Sequence, residues 1–170
     1  MVEHRLIMRM ISLIGKEAMS IEKHNVVNQS FIRSVVDFIR VYADRTHHGK
    51  EEDILFRDLA GKQLSPVDAG IMNELIQEHV FGRVTTDEIA ALADAYQKGD
   101  ASALPRIATT LRKFADFYHW HIDKEDDVFF PLAMTYLSES EQKSMLVEFT
   151  EFDANLIHDK YKSVVAALEK

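Results

Sequence analysis

The sequence predicts an all-α fold: an up-down-up-down four-helix bundle with one additional C-terminal helix. Three observations carry this. Apolar residues recur at three- and four-residue intervals over long stretches. Only six glycines and three prolines punctuate 170 residues, so turns are few. The breaks between the periodic stretches are short, which makes consecutive helices antiparallel neighbours. A chain of this length fits one domain with its own core. It reads as a single domain over residues 1–170, with the bundle at 1–137 and the extra helix at 138–170.

Each element has its own signals. The first helix is expected from Val2 to Ala18, with His4, Ile7, Ile11, Ile14 and Ala18 on one face. The second is expected from near Ser20 to near Ala60, where Gly61 is a natural stop. Its stripe holds Phe31, Val35, Phe38, Tyr42, then His48 and Glu52, then Leu55 and Leu59. Ser65-Pro66 opens the third as an N-cap followed by proline in the first turn. This helix carries Leu75, His79, Ile89 and Ala93, ends at Gly99, and has Gly82 as a candidate kink. The fourth runs from Asp100 to about Leu137, through Phe114, Tyr118, His121, Glu125, Phe129 and Leu132, with Pro131 as a candidate bend. Ser138-Glu-Ser-Glu141 is a capping box that opens the fifth, which carries Met145, Phe149, Phe152, Leu156 and Tyr161.

Composition excludes several function classes. There is no cysteine, which removes disulfides, thiolate ligands, iron–sulfur clusters and a cysteine nucleophile. A net charge of −8 disfavours nucleic acid. The N-terminus lacks the apolar core of a signal peptide, and no apolar run approaches a membrane span. A cytoplasmic protein is expected.

The polar residues that interrupt the apolar stripes are the informative ones. His48-Gly-Lys-Glu-Glu52-Asp-Ile-Leu-Phe56 aligns with His121-Ile-Asp-Lys-Glu125-Asp-Asp-Val-Phe129, and each copy continues to a matching leucine and alanine. Each copy also has an upstream partner: Glu3-His4 lies 44 residues before His48, and Glu78-His79 lies 42 before His121, counted between histidines. Residues four apart share a helix face. Antiparallel pairing brings His4 to the level of His48, and His79 to the level of His121. Four imidazoles and two carboxylates then converge inside the bundle. Burying so many titratable groups uncompensated costs several kcal/mol, of order, and a pair of cations removes that cost. Imidazole and carboxylate without thiolate suit iron, manganese or zinc. Iron is preferred and zinc is the runner-up, because an open nitrogen–oxygen site with two irons activates small diatomics.

These motifs, in this order, resemble the hemerythrin-like HHE cation-binding domain over roughly Val2 to Ala133: Glu3-His4-Arg, His48 to Phe56, Glu78-His79-Val-Phe-Gly82-Arg83, and His121 to Pro131. The resemblance implies a non-haem centre of two irons, bridged by carboxylates and an oxo or hydroxo group. Carried over position by position, His4, His48, His79 and His121 would be terminal ligands, with Glu52 and Glu125 bridging. The expected partners are a small diatomic or peroxide and a redox partner protein. The chain departs from the oxygen-carrying hemerythrins at Leu75, where those have a histidine four before the third-helix ligand, and at Glu125, where they have an aspartate one residue later. The pattern is closer to the branch of iron-responsive sensors and iron–sulfur-repair proteins. Iron storage or delivery, a diiron oxidoreductase and a structural zinc bundle are the alternatives.

Other titratable residues compete for roles. His47 and Glu51 form a second His-x-x-x-Glu, rotated by about 100° from the first. The repeat alignment selects His48 and Glu52, which leaves His47 and His119 as outer or solvent groups. Glu51, Glu3 and Glu78 are expected on the surface or holding the free N–H of a ligand histidine. For His158 and Tyr161 two readings stand: the fifth helix simply covers the bundle, or one of them closes an open coordination position.

Overall fold

The computed structural model describes residues 2–153 and 157–170, and no strand occurs among them. Leu156, expected on the fifth helix, lies outside these residues. The first helix is Val2–His24. It runs past the predicted stop because Ile21 extends the stripe of Ile14 and Ala18, and all three are buried. The break comes at Asn25, whose left-handed φ of 54° ends the helix. The second rod therefore starts later than Ser20, at Gln29, where the Asn28 side chain accepts from the Phe31 N–H.

That second rod spans residues 29–60 and is not uniform. Gln29–Phe38 is α-helical, whereas Ile39–His48 and Glu51–Phe56 form wide π-type turns. Arg57–Ala60 closes the rod before Gly61. A π turn bonds residue i to i+5 and puts more residues into each turn than an α-helix does. The third helix, Pro66–Gln97, is capped by Ser65 and runs through Gly82 without a break. The fourth rod spans residues 103–136: Ala103–Lys124, a wide turn Glu125–Phe129, then Phe130–Tyr136. Pro131 has no N–H to return to the preceding turn, and the widened turn lies just before it. Among the described residues the C-terminal addition comprises two helical stretches, Glu139–Phe152 and Ile157–Leu168. The first is held by the predicted box: Ser138 accepts from the Glu141 N–H, and Glu141 accepts from that of Ser138.

The first and third helices pack on the fourth rod, and the third also packs on the second. Two apolar clusters result. The larger holds Ile7, Ile14, Phe38, Tyr42, Leu111 and Phe114; the smaller holds Leu55, Phe56, Leu75, Phe129 and Met145. The buried histidines and glutamates separate the two. The last helix lies against the first helix and the second rod, and buries Tyr161 and Val165 in the larger cluster. The fifth helix packs on Glu51–Phe56 and contributes Met145 to the smaller one. Among the described residues, no helix is long and apolar enough to cross a membrane.

Gly49 shows how closely the fifth helix is seated. A Cβ there would lie 2.9 Å from the Phe152 ring. Alanine gains about 0.8–1 kcal/mol over glycine in a helix. Gly49→Ala is therefore expected to stabilise by about that amount in a Phe152→Ala background, and by clearly less when Phe152 is present. Chemical denaturation of the four proteins measures this coupling. Equal effects in both backgrounds would mean that the ring does not press on residue 49.

Candidate metal centre

Two groups of ligand-type atoms lie in the layer between the apolar clusters. His48, His79 and His121 form one; His4, His47, Glu51 and Glu125 form the other. All seven side chains are buried, and His47, His48 and Glu51 are each only 2% exposed. Glu51 and Glu125 span both groups. Glu51 Oε1 lies 3.6 Å from His47 Nε2, while its Oε2 lies 3.5 Å from His79 Nε2. Glu125 Oε1 lies 3.3 Å from His121 Nε2, and its Oε2 lies 3.2 Å from His4 Nε2.

The centre is built from a repeat in register. Glu3 accepts from His47 Nδ1 at 2.9 Å and is also held by Lys50. In the other half, Glu78 accepts from His121 Nδ1 at 2.9 Å and is also held by Lys124. Asp126 faces His4 Nδ1 at 3.1 Å, as Glu52 faces His79 Nδ1 at 2.7 Å. The repeated unit is thus His-x-x-Lys-Glu-acid: His47-His48-Gly49-Lys50-Glu51-Glu52 and His121-Ile122-Asp123-Lys124-Glu125-Asp126. Carboxylates hold the Nδ1 atoms and fix each imidazole so that Nε2 points inward.

Five of the six residues expected to converge do so: His4, His48, His79, His121 and Glu125. Glu52 joins neither group. Its side chain is 28% exposed, and it bonds His79 Nδ1 and Arg83 from outside. The buried carboxylate at this level is Glu51, one residue earlier, and His47 points in as well. Both were expected outside the centre. The physical reason is the wide turn Ile39–His48, which reduces the angle between successive side chains, so that neighbours 47 and 48 both face the interior, one toward each half. The signal was present in the sequence. Aligning Lys50-Glu51-Glu52 on Lys124-Glu125-Asp126 gives this register. The matches at Phe56 and Phe129 hide it, because the first copy has one more residue between its buried glutamate and that phenylalanine. Those two rings do meet, edge to face at 5.3 Å.

His48 has no counterpart. The aligned residue is Ile122, which follows an α-helical stretch and points into the larger apolar cluster. His48 instead stacks on His79 at 3.9 Å, and neither of its ring nitrogens has a hydrogen-bond partner among the described residues. Tyr118 lies beside it with a buried, equally unpartnered hydroxyl. His158 and Tyr161 do not close either half. His158 Nδ1 meets the Tyr42 hydroxyl at 2.8 Å, its Nε2 lies 3.1 Å from Asp153, and Tyr161 donates to Asp37.

The electrostatics are those of a site made for cations. Burial, with His79 and His47 nearby, pushes His48 well below the usual imidazole range. Burial also carries His47 down to about 4 against the pull of Glu3. Both are therefore neutral, as ligands must be. Burial, then the charge of Glu3, raises Glu51; burial, then the charge of Glu51, raises Glu125. Glu3 is held down to about 2, because His47 and Lys50 outweigh its burial.

The residues fit metal ions. His79 Nε2, His121 Nε2, both His48 nitrogens and all four oxygens of Glu51 and Glu125 are buried without a hydrogen-bond partner among the described residues. Polar atoms in that state are strongly destabilising. His4 and His47 face each other with their Nε2 atoms 3.0 Å apart. Metal–nitrogen bonds of about 2.1 Å put two adjacent octahedral ligand atoms at about that separation.

Fold and site define a helical-bundle protein with a buried, cation-binding histidine–carboxylate centre. The chain belongs to the hemerythrin HHE cation-binding domain family, whose model matches residues 1–133. Comparisons with curated proteins and with solved structures return no match. The match ends before the C-terminal helices, which are an addition to the bundle.

Proposed function

We propose that this is a cytoplasmic, non-haem diiron protein that binds, senses or scavenges dioxygen, nitric oxide, peroxide or iron. The observation that carries the reading is the pair of buried, unpartnered carboxylates, Glu51 and Glu125, each facing histidines of both halves. In this reading His4 and His47 hold one iron, His48, His79 and His121 hold the other, and the two glutamates bridge. Glu52 and Asp126 orient His79 and His4, and Glu3 and Glu78 orient His47 and His121. Hard carboxylates with imidazoles and no thiolate suit iron, ahead of zinc or manganese. Two irons supply redox electrons and a vacant position for a diatomic or peroxide. With no third imidazole in the His4–His47 half, an ion held there would have the more open set of ligands.

A second reading, a diiron oxidoreductase, is favoured by a cavity of about 720 Å³ that reaches His47 and Glu51. A diatomic needs far less room.

Metal analysis together with an absorption spectrum tests the proposal. The expected result is two irons per chain and a near-ultraviolet charge-transfer band. Mixing the reduced protein with dioxygen then separates a stable adduct from rapid bleaching. Fewer than one iron per chain, or stoichiometric zinc after growth with both metals, overturns it. Removing the metal with a chelator is expected to lower the melting temperature by several degrees, because the orphaned ligand atoms then stay buried.

A further inference from the structure

The cavity next to His47 and Glu51 has both polar and apolar lining. Besides His47 and Glu51, its polar lining is Glu3, Lys50, Asp126, Asp153, His158 and Lys162. Lys50 is already held there by Glu3 and Asp153. Its apolar lining includes Leu55, Phe130, Met134, Met145, Leu146 and Phe149, of which Phe130 stacks on His4 at 5.7 Å and Phe149 lies 5.9 Å from Lys50 Nζ. Phe130 and Met134 come from the end of the fourth rod. Met145, Leu146 and Phe149 come from the fifth helix, outside the residues that the family match covers. Pockets of about 300–1,000 Å³ are the size that holds organic molecules.

Two independent features point to the same place. The half without a third histidine is set by the wide turn in the second rod, which sends His48 to the other half. One wall of the apolar cavity is set by the fifth helix, Glu139–Phe152. Nothing in the repeat requires them to coincide, yet the cavity touches His47 and Glu51 and none of His48, His79 or His121.

Resting on the diiron reading for the polar lining, we propose that this cavity binds an aliphatic organic acid, with its carboxylate at the open edge of the His4–His47 half and its chain among Phe130, Met134, Met145 and Phe149. An oxygen-donor anion matches a hard cation with a vacant position, and an apolar chain matches the lining. Each buried methylene tightens binding roughly fourfold. The acid competes with small anions for the same position, so it is a substrate or a regulator of whatever binds there.

Calorimetric titration with decanoate and with acetate tests this, on the metal-loaded and the metal-free protein. Loaded protein is expected to bind decanoate at least 100-fold more tightly than acetate, and decanoate is expected to displace azide. Metal-free protein keeps a preference for decanoate at a lower affinity. Met134→Trp and Leu146→Trp fill the cavity from residues 42% and 62% exposed, so the core is spared. Each is expected to weaken decanoate at least tenfold with metal content unchanged. Equal affinity for the two acids, or tryptophan variants that bind decanoate as the parent does, overturns the proposal. Decanoate binding that is no tighter with metal than without overturns the placement of the carboxylate. Failure of the diiron reading registers separately, as missing iron in the metal analysis, and the decanoate preference of the metal-free protein then still decides whether the cavity is a site.

Discussion

Glu51→Gln is expected to lower metal affinity at least 100-fold, while Glu52→Gln lowers it by roughly tenfold. The two residues are adjacent, of the same type and part of the same run, so only their positions in the fold separate them. Glu51 is buried, neither oxygen has a hydrogen-bond partner among the described residues, and the two oxygens face histidines of opposite halves. On the diiron proposal it would bridge both ions, so its loss would weaken both. Glu52 touches no inward-facing nitrogen. It holds His79 Nδ1 at 2.7 Å and pairs with Arg83. Loss of such an orienting partner typically costs about 10–100-fold. Competition with a chelator of known affinity measures both variants.

The same pair gives a check that needs no metal. Burial and the nearby charge of Glu3 raise Glu51 well above the usual carboxyl range, so its ionised form is destabilising in the metal-free protein. Glutamine removes that charge at nearly constant volume. Metal-free Glu51→Gln is therefore expected to melt above the parent. Glu52 lies below the usual range, because hydrogen bonds from His79 and Arg83 outweigh its partial burial. Metal-free Glu52→Gln is expected to melt below the parent. If the two variants shift in the same direction, the assignment of inner and outer carboxylate fails.

The fold was legible in the sequence to the level of which segments are helical and which faces point inward. Ser65-Pro66 and Ser138 to Glu141 cap their helices as predicted. The differences at the metal centre are local and share a cause. A reading that assumes α-helical spacing cannot see a wide turn, and the second rod has two. Spacing of four from His48 gives Glu52; the chain, however, gathers His47 and Glu51 as well, and it repeats the four-residue spacing from His47. The end of the first helix was misjudged for a different reason. The second helix was expected to start near Ser20, but the apolar stripe continues through Ile21 and the break is at Asn25. The C-terminal addition was legible only as a helix. That it forms one wall of a cavity depends on packing that no local pattern encodes.

His48→Ile is the substitution that bears most directly on the asymmetry. Apart from His48, the two halves match residue for residue: His4 with His79, His47 with His121, Glu51 with Glu125, and each orienting carboxylate with its counterpart. His48 alone makes one half three-histidine and the other two-histidine, and isoleucine is what the other copy carries at that place. The parent, loaded with metal, is expected to bind one azide per centre, in the His4–His47 half. The variant, at saturating metal, is expected to bind two, because the second ion has lost the imidazole that filled its extra position. Its affinity for that ion falls at the same time, by an amount of the order of the 100-fold expected for Glu51→Gln, while the ion at His4 and His47 is retained. Calorimetric stoichiometry with azide and metal competition read both effects on one sample. A parent that already binds two azides, or a variant that still binds one with both ions present, would mean that the imidazole of His48 is not what distinguishes the halves.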